Sequence, residues 1–231
     1  MSNSDFHTTH WTAILAAKQD DTQGRSALHE LCVLYQKPIR CFIERAIRSD
    51  DPRRYGHRDA EDLTQDFLAA LLGDNMLIGL ERREGKFRSY LLGTIKHFLS
   101  DLRKREQTER RGGDVRHVAI QADVQSFDST HDAVFDQDWA RSTIDRAVEQ
   151  LGNTPETQAL LPWLSKEQTA EDRLQVCHSL GMSDTAVKVA LHRLRKKFRR
   201  TVRELVAQTV ESDSEIDAEL AYLIQALSVT Q

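Results

Sequence analysis

The chain predicts an all-α fold of two small helical domains joined by a flexible acidic linker, and three observations carry that expectation. Apolar residues recur at helical spacing almost throughout, and no β-rich alternating segment stands out. Only four prolines and ten glycines interrupt 231 residues. A polar, acidic, weakly periodic stretch separates the two periodic regions. The expected boundaries are residues 1–112 for the first domain, 113–136 for the linker and 137–210 for the second domain. Residues 211–231 are expected to form an acidic C-terminal tail with a short helix.

Bulk composition narrows the class. Hydrophobic residues make up 39% of the chain, and no apolar run approaches the roughly 18 residues that a membrane span needs. The opening MSNSDFHTTHWTA lacks the basic and apolar blocks of a secretory signal. Cys32, Cys41 and Cys177 are an odd set without a paired pattern. They point to reduced thiols and a cytoplasmic address. The net charge is −4, yet charge is distributed in blocks. Arg82 to Arg116 holds eleven Lys/Arg against five acids, and Thr185 to Arg203 holds eight Lys/Arg and no acid. His117 to Glu149 and Glu204 to the end are net acidic. Phosphate contacts are local, so two basic blocks outweigh the whole-chain sum as a sign of nucleic-acid binding.

Element by element, the first helix is short, with Trp11, Ile14 and Leu15 as its apolar stripe. A longer stretch follows, carrying Leu28, Leu31, Tyr35, Ile39, Phe42 and Ile43 on one face. Pro38 is expected to kink or split it. Asp50 to Gly56 reads as a loop from its Asp, Pro and Gly content. The next helix, DAEDLTQDFLAALL, crowds acids into its first turns and buries Leu63, Phe67, Leu68 and Leu71. The segment from Phe87 to Arg111 reads as one long helix, apolar early and basic late, ended by Gly112-Gly113. Helical pattern resumes near Trp139. After Val210 the break ESDSEID leads to an amphipathic segment with Leu220, Leu223, Ile224 and Leu227.

The most specific local signal is GMSDTAVKVALHRLRKKFRR, Gly181 to Arg200. A helix-turn-helix needs a tight turn flanked by apolar residues, and a glycine suits the turn position that demands positive φ. Gly181 sits at that turn. Val176 and Leu180 precede it, and Met182, Val187 and Ala190 follow. Cys177 is small, as a close helix crossing requires, and Ser183 is a natural N-cap. Val187, Leu191, Leu194 and Phe198 share one face, which leaves Thr185, Lys188, Val189, His192 and Arg193 on the open face. In this motif the second helix enters the major groove, so Lys188, His192 and Arg193 are candidate donors to base edges or phosphates. Arg195, Lys196 and Arg199 are candidate phosphate contacts.

Two other clusters could carry chemistry. Asp59, Glu61, Asp62 and Asp66 could serve as acid and base or hold Mg²⁺. No nucleophile or phosphate-binding glycine loop accompanies them, which favours a partner-docking face or acidic capping. His29 and Cys32 lie three apart on a helix but lack two further ligands, which favours core packing over a metal. In FRSYLLGTIKHFLSDLRKR, aromatics mix with cations. Phe87, Tyr90 and Phe98 could stack on unpaired bases while Lys96, Arg103, Lys104 and Arg105 neutralise phosphate. Phe98 falls on the core stripe with Leu91, Thr94 and Ile95, which leaves Tyr90 as the expected exposed aromatic.

The order of these parts, from WTAILAAK through DAEDLTQDF to the terminal helix-turn-helix, resembles a bacterial sigma factor of the extracytoplasmic-function (ECF) group from about Trp11 to Val210. That resemblance implies a protein that is not an enzyme and needs no cofactor: polymerase makes the bonds, and this chain selects and opens promoters. It implies that Asp59, Glu61, Asp62, Gln65 and Asp66 lie on a helix docking on the β′ clamp helices of core RNA polymerase. It implies a −10 reading helix with Tyr90 near opened bases and Lys96, His97, Asp101, Arg103 and Lys104 on the DNA side. The −35 element would be read through Thr185, Lys188, Val189, His192, Arg193 and Lys196, and the second domain would also hold the polymerase β flap. An anti-sigma factor is a further partner of such proteins. Three features depart from the usual pattern: a long DDPRRYGHR loop, a polar first helix TAEDRLQVCHSL, and the acidic segment after Val210. The acidic segments could shield the basic helices when polymerase is absent. A stand-alone helix-turn-helix regulator, binding operator DNA as a dimer, is the alternative. Against it stand the aromatic-basic helix of the first domain and the lack of a sensor domain.

Overall fold

The computed structural model describes residues 22–72, 86–110, 129–166 and 169–228. Among them every regular element is helical. The helices are α1 (Thr22–Arg48), α2 (Ala60–Leu72), α3 (Phe87–Arg110), α4 (Ser129–Glu149), α5 (Pro155–Leu160), α6 (Ala170–Leu180), α7 (Asp184–Ala207) and α8 (Ile216–Ser228). Short 3₁₀ turns cover Pro52–Tyr55, Leu161–Leu164 and Asp213–Glu215. The expected first helix around Trp11, Ile14 and Leu15 lies outside the described residues. So do Gly112-Gly113 and the part of the expected linker up to residue 128.

Two compact units emerge. One takes Met1–Ser142 together with Ala207–Gln231, and the other is Thr143–Val206. In the first, α1 is continuous through Pro38 and is not split there. Tyr35, Ile39, Phe42 and Ile43 flank the proline, and each is 0% exposed. Burial on both sides holds the helix in register although one backbone hydrogen bond is lost. Aromatic contacts tie the helices together. Tyr35 meets Phe87 edge-on at 5.1 Å, Phe42 meets Phe135 at 5.9 Å, and Phe67 meets Phe98 at 5.5 Å between ring centroids. Edge-to-face pairs of this kind add to the hydrophobic term.

The stretch from Asp50 to Gly56 is more ordered than its composition suggests. Asp51 caps the 3₁₀ turn by accepting from the Arg53 amide at 3.0 Å, and Gly56 closes it at φ 66°. Tyr55 is 0% exposed. Its hydroxyl donates to Asp50 at 3.2 Å and accepts from Arg103 Nε at 2.8 Å. The long loop therefore serves as an anchor for the basic half of α3.

Helical structure is already present at Ser129, ten residues before the expected resumption near Trp139. Phe135 and Trp139 lie four apart on one face of α4, both 0% exposed, so burial extends the helix backward into acidic sequence. The segment after Val210 is likewise a built part of the first unit. Ile216, Glu219, Leu223 and Ala226 form the buried face of α8. Ile224, expected in the apolar stripe, points outward at 64% exposure.

A charge cluster underlies α8. The Arg88 side chain is 9% exposed and pairs with Asp136 of α4 and Glu219 of α8. Its guanidinium lies 5.0 Å from the Trp139 ring and 4.3 Å from the Tyr222 ring. Lys86 pairs with Glu219 at 2.5 Å, and the Tyr222 hydroxyl donates to Asp136. Burial pushes the Arg88 pKa down, but the two carboxylates overcome that and hold it above its ordinary value.

The second unit has its own core of Leu151, Leu160, Trp163, Val187, Ala190, Leu191 and Leu194. Leu161, Leu164, Val176, Cys177, Met182 and Phe198 pack against it.

Candidate nucleic-acid interface

The turn between α6 and α7 is built by local rules. Thr169 and Asp172 form a reciprocal capping box at the start of α6, with the Thr169 hydroxyl accepting from the Asp172 amide at 3.1 Å. The Asp172 carboxyl lies below its ordinary range because the Thr169 hydroxyl donates to it. Gly181 ends α6 in the left-handed region at φ 63° and ψ 29°. The Met182 amide reaches back to the Cys177 carbonyl at 3.0 Å, closing the helix end. A side chain at 181 meets no steric obstacle, so glycine is required by φ and not by space. The Ser183 hydroxyl accepts from the Ala186 amide at 3.3 Å and starts α7.

Helix α7 then separates its faces cleanly. Val187, Ala190, Leu191 and Leu194 turn inward. Thr185, Lys188, Val189, His192, Arg193 and Lys196 are all exposed and lie along the opposite side. Val189, at 44% exposure, is the apolar member of that face.

Two residues join this surface that the sequence reading passed over. Asp184 pairs with Lys188 at 2.7 Å and with Arg173 of α6 at 3.1 Å. Hydrogen bonding from Lys188, then from Arg173, holds the Asp184 carboxyl below its ordinary range against slight desolvation. Asp184 thus gathers two cations from two helices at the mouth of the turn. Its i, i+4 spacing to Lys188 was the readable signal.

Not every cation of the basic block is available. Arg195, expected on phosphate, donates to the Trp163 carbonyl at 2.7 Å, and Lys197 donates to the Leu151 carbonyl at 2.9 Å. Both satisfy carbonyls at the ends of helical segments, where a cation is favoured. Arg199 is exposed, and Arg200 pairs with Glu204 at 3.5 Å.

The candidates on α3 are placed less favourably. Tyr90, expected to be the exposed aromatic, is 9% exposed and packs toward Phe87, while Phe98 is half-buried against Phe67. Arg103, expected on the DNA side, is 8% exposed and pairs with Asp50 at 2.9 Å. Lys96 is held by Asp132 of α4 at 2.6 Å. Asp101 and Arg105 are exposed, and His97 and Lys104 are half-buried. The face that α3 presents is therefore narrower than its cation count, because Asp50, Tyr55 and Asp132 draw two of its cations inward.

On α2, Asp59, Glu61, Asp62, Gln65 and Asp66 are all exposed. The Asp59 carboxylate caps the helix by accepting from the Asp62 amide at 2.8 Å. Arg58 pairs with Asp66 at 2.8 Å and Arg40 with Glu61 at 3.6 Å. Asp59 and Glu61 also line an open groove with Arg40, Glu44, Ile47 and Arg48 of α1. Among the described residues no group of three or more His, Cys, Asp or Glu could hold a metal ion. His29 is exposed and Cys32 is buried, so the pair shares no site. Burial pushes the Cys32 thiol up to about 12. No helix among the described residues is long and apolar enough to cross a membrane.

These features define an all-helical protein with a glycine-turned helix pair carrying a basic outer face and a separate acidic helix. Residues 9–204 match the family model described as ECF sigma factor, and the chain belongs to that family. Sigma factors direct transcription initiation, with core RNA polymerase and promoter DNA as partners. No curated protein and no solved structure matches the chain.

Proposed function

We propose that this chain selects promoters by reading the −35 element through α7 and the −10 element through α3, and that α2 docks on the β′ clamp helices of polymerase. The observation that carries the first part is the gathering of Thr185, Lys188, Val189, His192, Arg193 and Lys196 on one exposed face, directly behind a fully packed one. Lys188, His192 and Arg193 supply donors to base edges, and Val189 supplies an apolar contact for a thymine methyl. Lys196 follows one turn on as a phosphate contact.

Among the candidate residues on α3, Asp101 and Arg105 are exposed and His97 and Lys104 are partly accessible. Tyr90 reaches an unpaired base only after the start of α3 shifts. Strand opening in this reading is therefore coupled to movement there. The exposed carboxylates of α2 suit a basic partner surface, and the second unit also holds the β flap.

Co-elution with core RNA polymerase on size exclusion, followed by promoter-dependent transcripts, tests the reading. Glu61→Lys with Asp62→Lys is expected to abolish co-elution at a stability cost of about 1–2 kcal/mol from the reversed first-turn charges, so that the protein still melts cooperatively. Tight dimeric binding to a palindromic duplex without a polymerase complex would make the chain an ordinary helix-turn-helix regulator. Lys188→Ala is expected to cost about 1–3 kcal/mol and to relax preference at one base pair of the −35 element. Binding measured across −35 variants checks this; a uniform loss would make Lys188 a phosphate contact.

A further inference from the structure

The family match ends at residue 204, yet the first unit is completed by the chain that follows. The Thr209 carbonyl accepts from the amide of Phe87, the first residue of α3, at 3.2 Å. Thr209 is 2% exposed and Val210 is 0% exposed. Helix α8 has 13 residues, a length that is marginal for an isolated helix in water. It is helical because it is docked. Ile216, Leu223 and Ala226 supply its apolar anchors, and Glu219 supplies a carboxylate that is 0% exposed. That carboxylate meets Lys86 at 2.5 Å and Arg88 at 3.2 Å.

The cations at the start of α3 are neutralised by Glu219 and Asp136 and are withheld from phosphate. The chain also leaves the first unit after Ser142 and returns to it at Ala207, so α8 belongs to the unit that carries α3.

We propose that α8 is an autoinhibitory strap, latched by Glu219, whose docking opposes DNA binding by the free protein. The inference rests on the reading that the chain binds promoter DNA. Docking and DNA binding then oppose each other reciprocally: release of the strap raises DNA affinity, and DNA favours release.

The test uses the full chain, a mixed-sequence DNA duplex read by fluorescence anisotropy, and amide hydrogen exchange. In the wild-type protein the amides of 216–228 are expected to be protected like those of α3, and to lose protection when the duplex is added. Glu219→Gln keeps size and removes the charge. It is expected to unprotect 216–228 and to raise affinity for the duplex about tenfold, as removal of a dominant closed state requires. Glu211→Gln, an exposed acid in the same segment, makes the same charge change and is expected to alter neither. Equal gains from both variants would reduce the effect to bulk charge and overturn the strap. So would loss of α8 protection without a gain in affinity, or no change in either. Should Glu219→Gln fail to fold by circular dichroism, Tyr222→Phe keeps the ring and removes the hydroxyl that bonds to Asp136 and meets Arg88. It is expected to move both readouts the same way by a smaller amount, and a null result there overturns the proposal. Absence of DNA binding by the Glu219→Gln protein also overturns it. Polymerase co-elution with the same preparation then shows whether the sigma-factor reading falls too.

Discussion

Val187→Asp will unfold the Thr143–Val206 unit. Val187 is 0% exposed and sits in the cluster formed with Leu151, Leu160, Trp163 and Leu191. An aspartate there buries a carboxylate among apolar side chains, with no cation in that cluster to pair it. The penalty is several kcal/mol. A unit of this size rarely carries more than about 3–5 kcal/mol of stability, so the substitution is expected to remove its cooperative transition. Hydrogen exchange should show the amides of α7 unprotected while those of α1 and α2 stay slow. Val189→Asp is the matched control. Its side chain faces solvent at 44% exposure, and surface changes of this kind stay within about 0.5 kcal/mol. Normal melting of the Val187 variant would place α7 with the wrong face inward and remove the basis of the proposed DNA surface.

Arg88→Met is expected to be the most damaging single change in the first unit. The arginine is the shared partner of two carboxylates, Asp136 and Glu219, and it lies over two aromatic rings. Methionine fills much of the volume but leaves Asp136 with only the Tyr222 hydroxyl and Glu219 with only Lys86 among the contacts of this cluster. Breaking a buried ion network by deleting one partner costs about 3–5 kcal/mol. A thermal melt of the full chain should show the first unit destabilised by that amount, with the α7 amides unaffected. Adding Glu219→Gln and Asp136→Asn to Arg88→Met should recover part of the loss, because the stranded charges are then gone. No recovery in the triple variant would assign the cost to packing over Trp139 and Tyr222.

What could be read beforehand followed the range of the interactions. The α6–α7 turn was legible to the residue because its determinants are local: Gly181 for the left-handed conformation, Ser183 for the cap, Val187 and Leu191 for the inward face. The acidic face of α2 was legible for the same reason. Periodicity marks which side of a helix is apolar, but it does not identify the distant residues that meet it. Arg103 and Lys96 looked like DNA contacts because Asp50, Tyr55 and Asp132 come from segments far along the chain. Periodicity puts Phe98 on the core stripe and leaves Tyr90 outside it, whereas both turn inward to different degrees. The pairing of Arg88 with Glu219, separated by 131 residues, left no trace in local charge. The acidic block after Val210 reads as a tail with a short amphipathic helix, because periodicity cannot show that one of its acids, Glu219, is fully covered.

The return of the chain to the first unit at Ala207 also dictates an order of assembly. During synthesis the ribosome delivers α1, α2 and α3 early, but the residues that complete their core come last. Domains fold as units while the chain is still growing. The Thr143–Val206 unit has all its core residues before Leu223 and Ala226 exist, although it begins later in the chain. The first unit is thus completed after the second. Until the ribosome releases the first turn of α8, Arg88 waits for Glu219, one of its two acids.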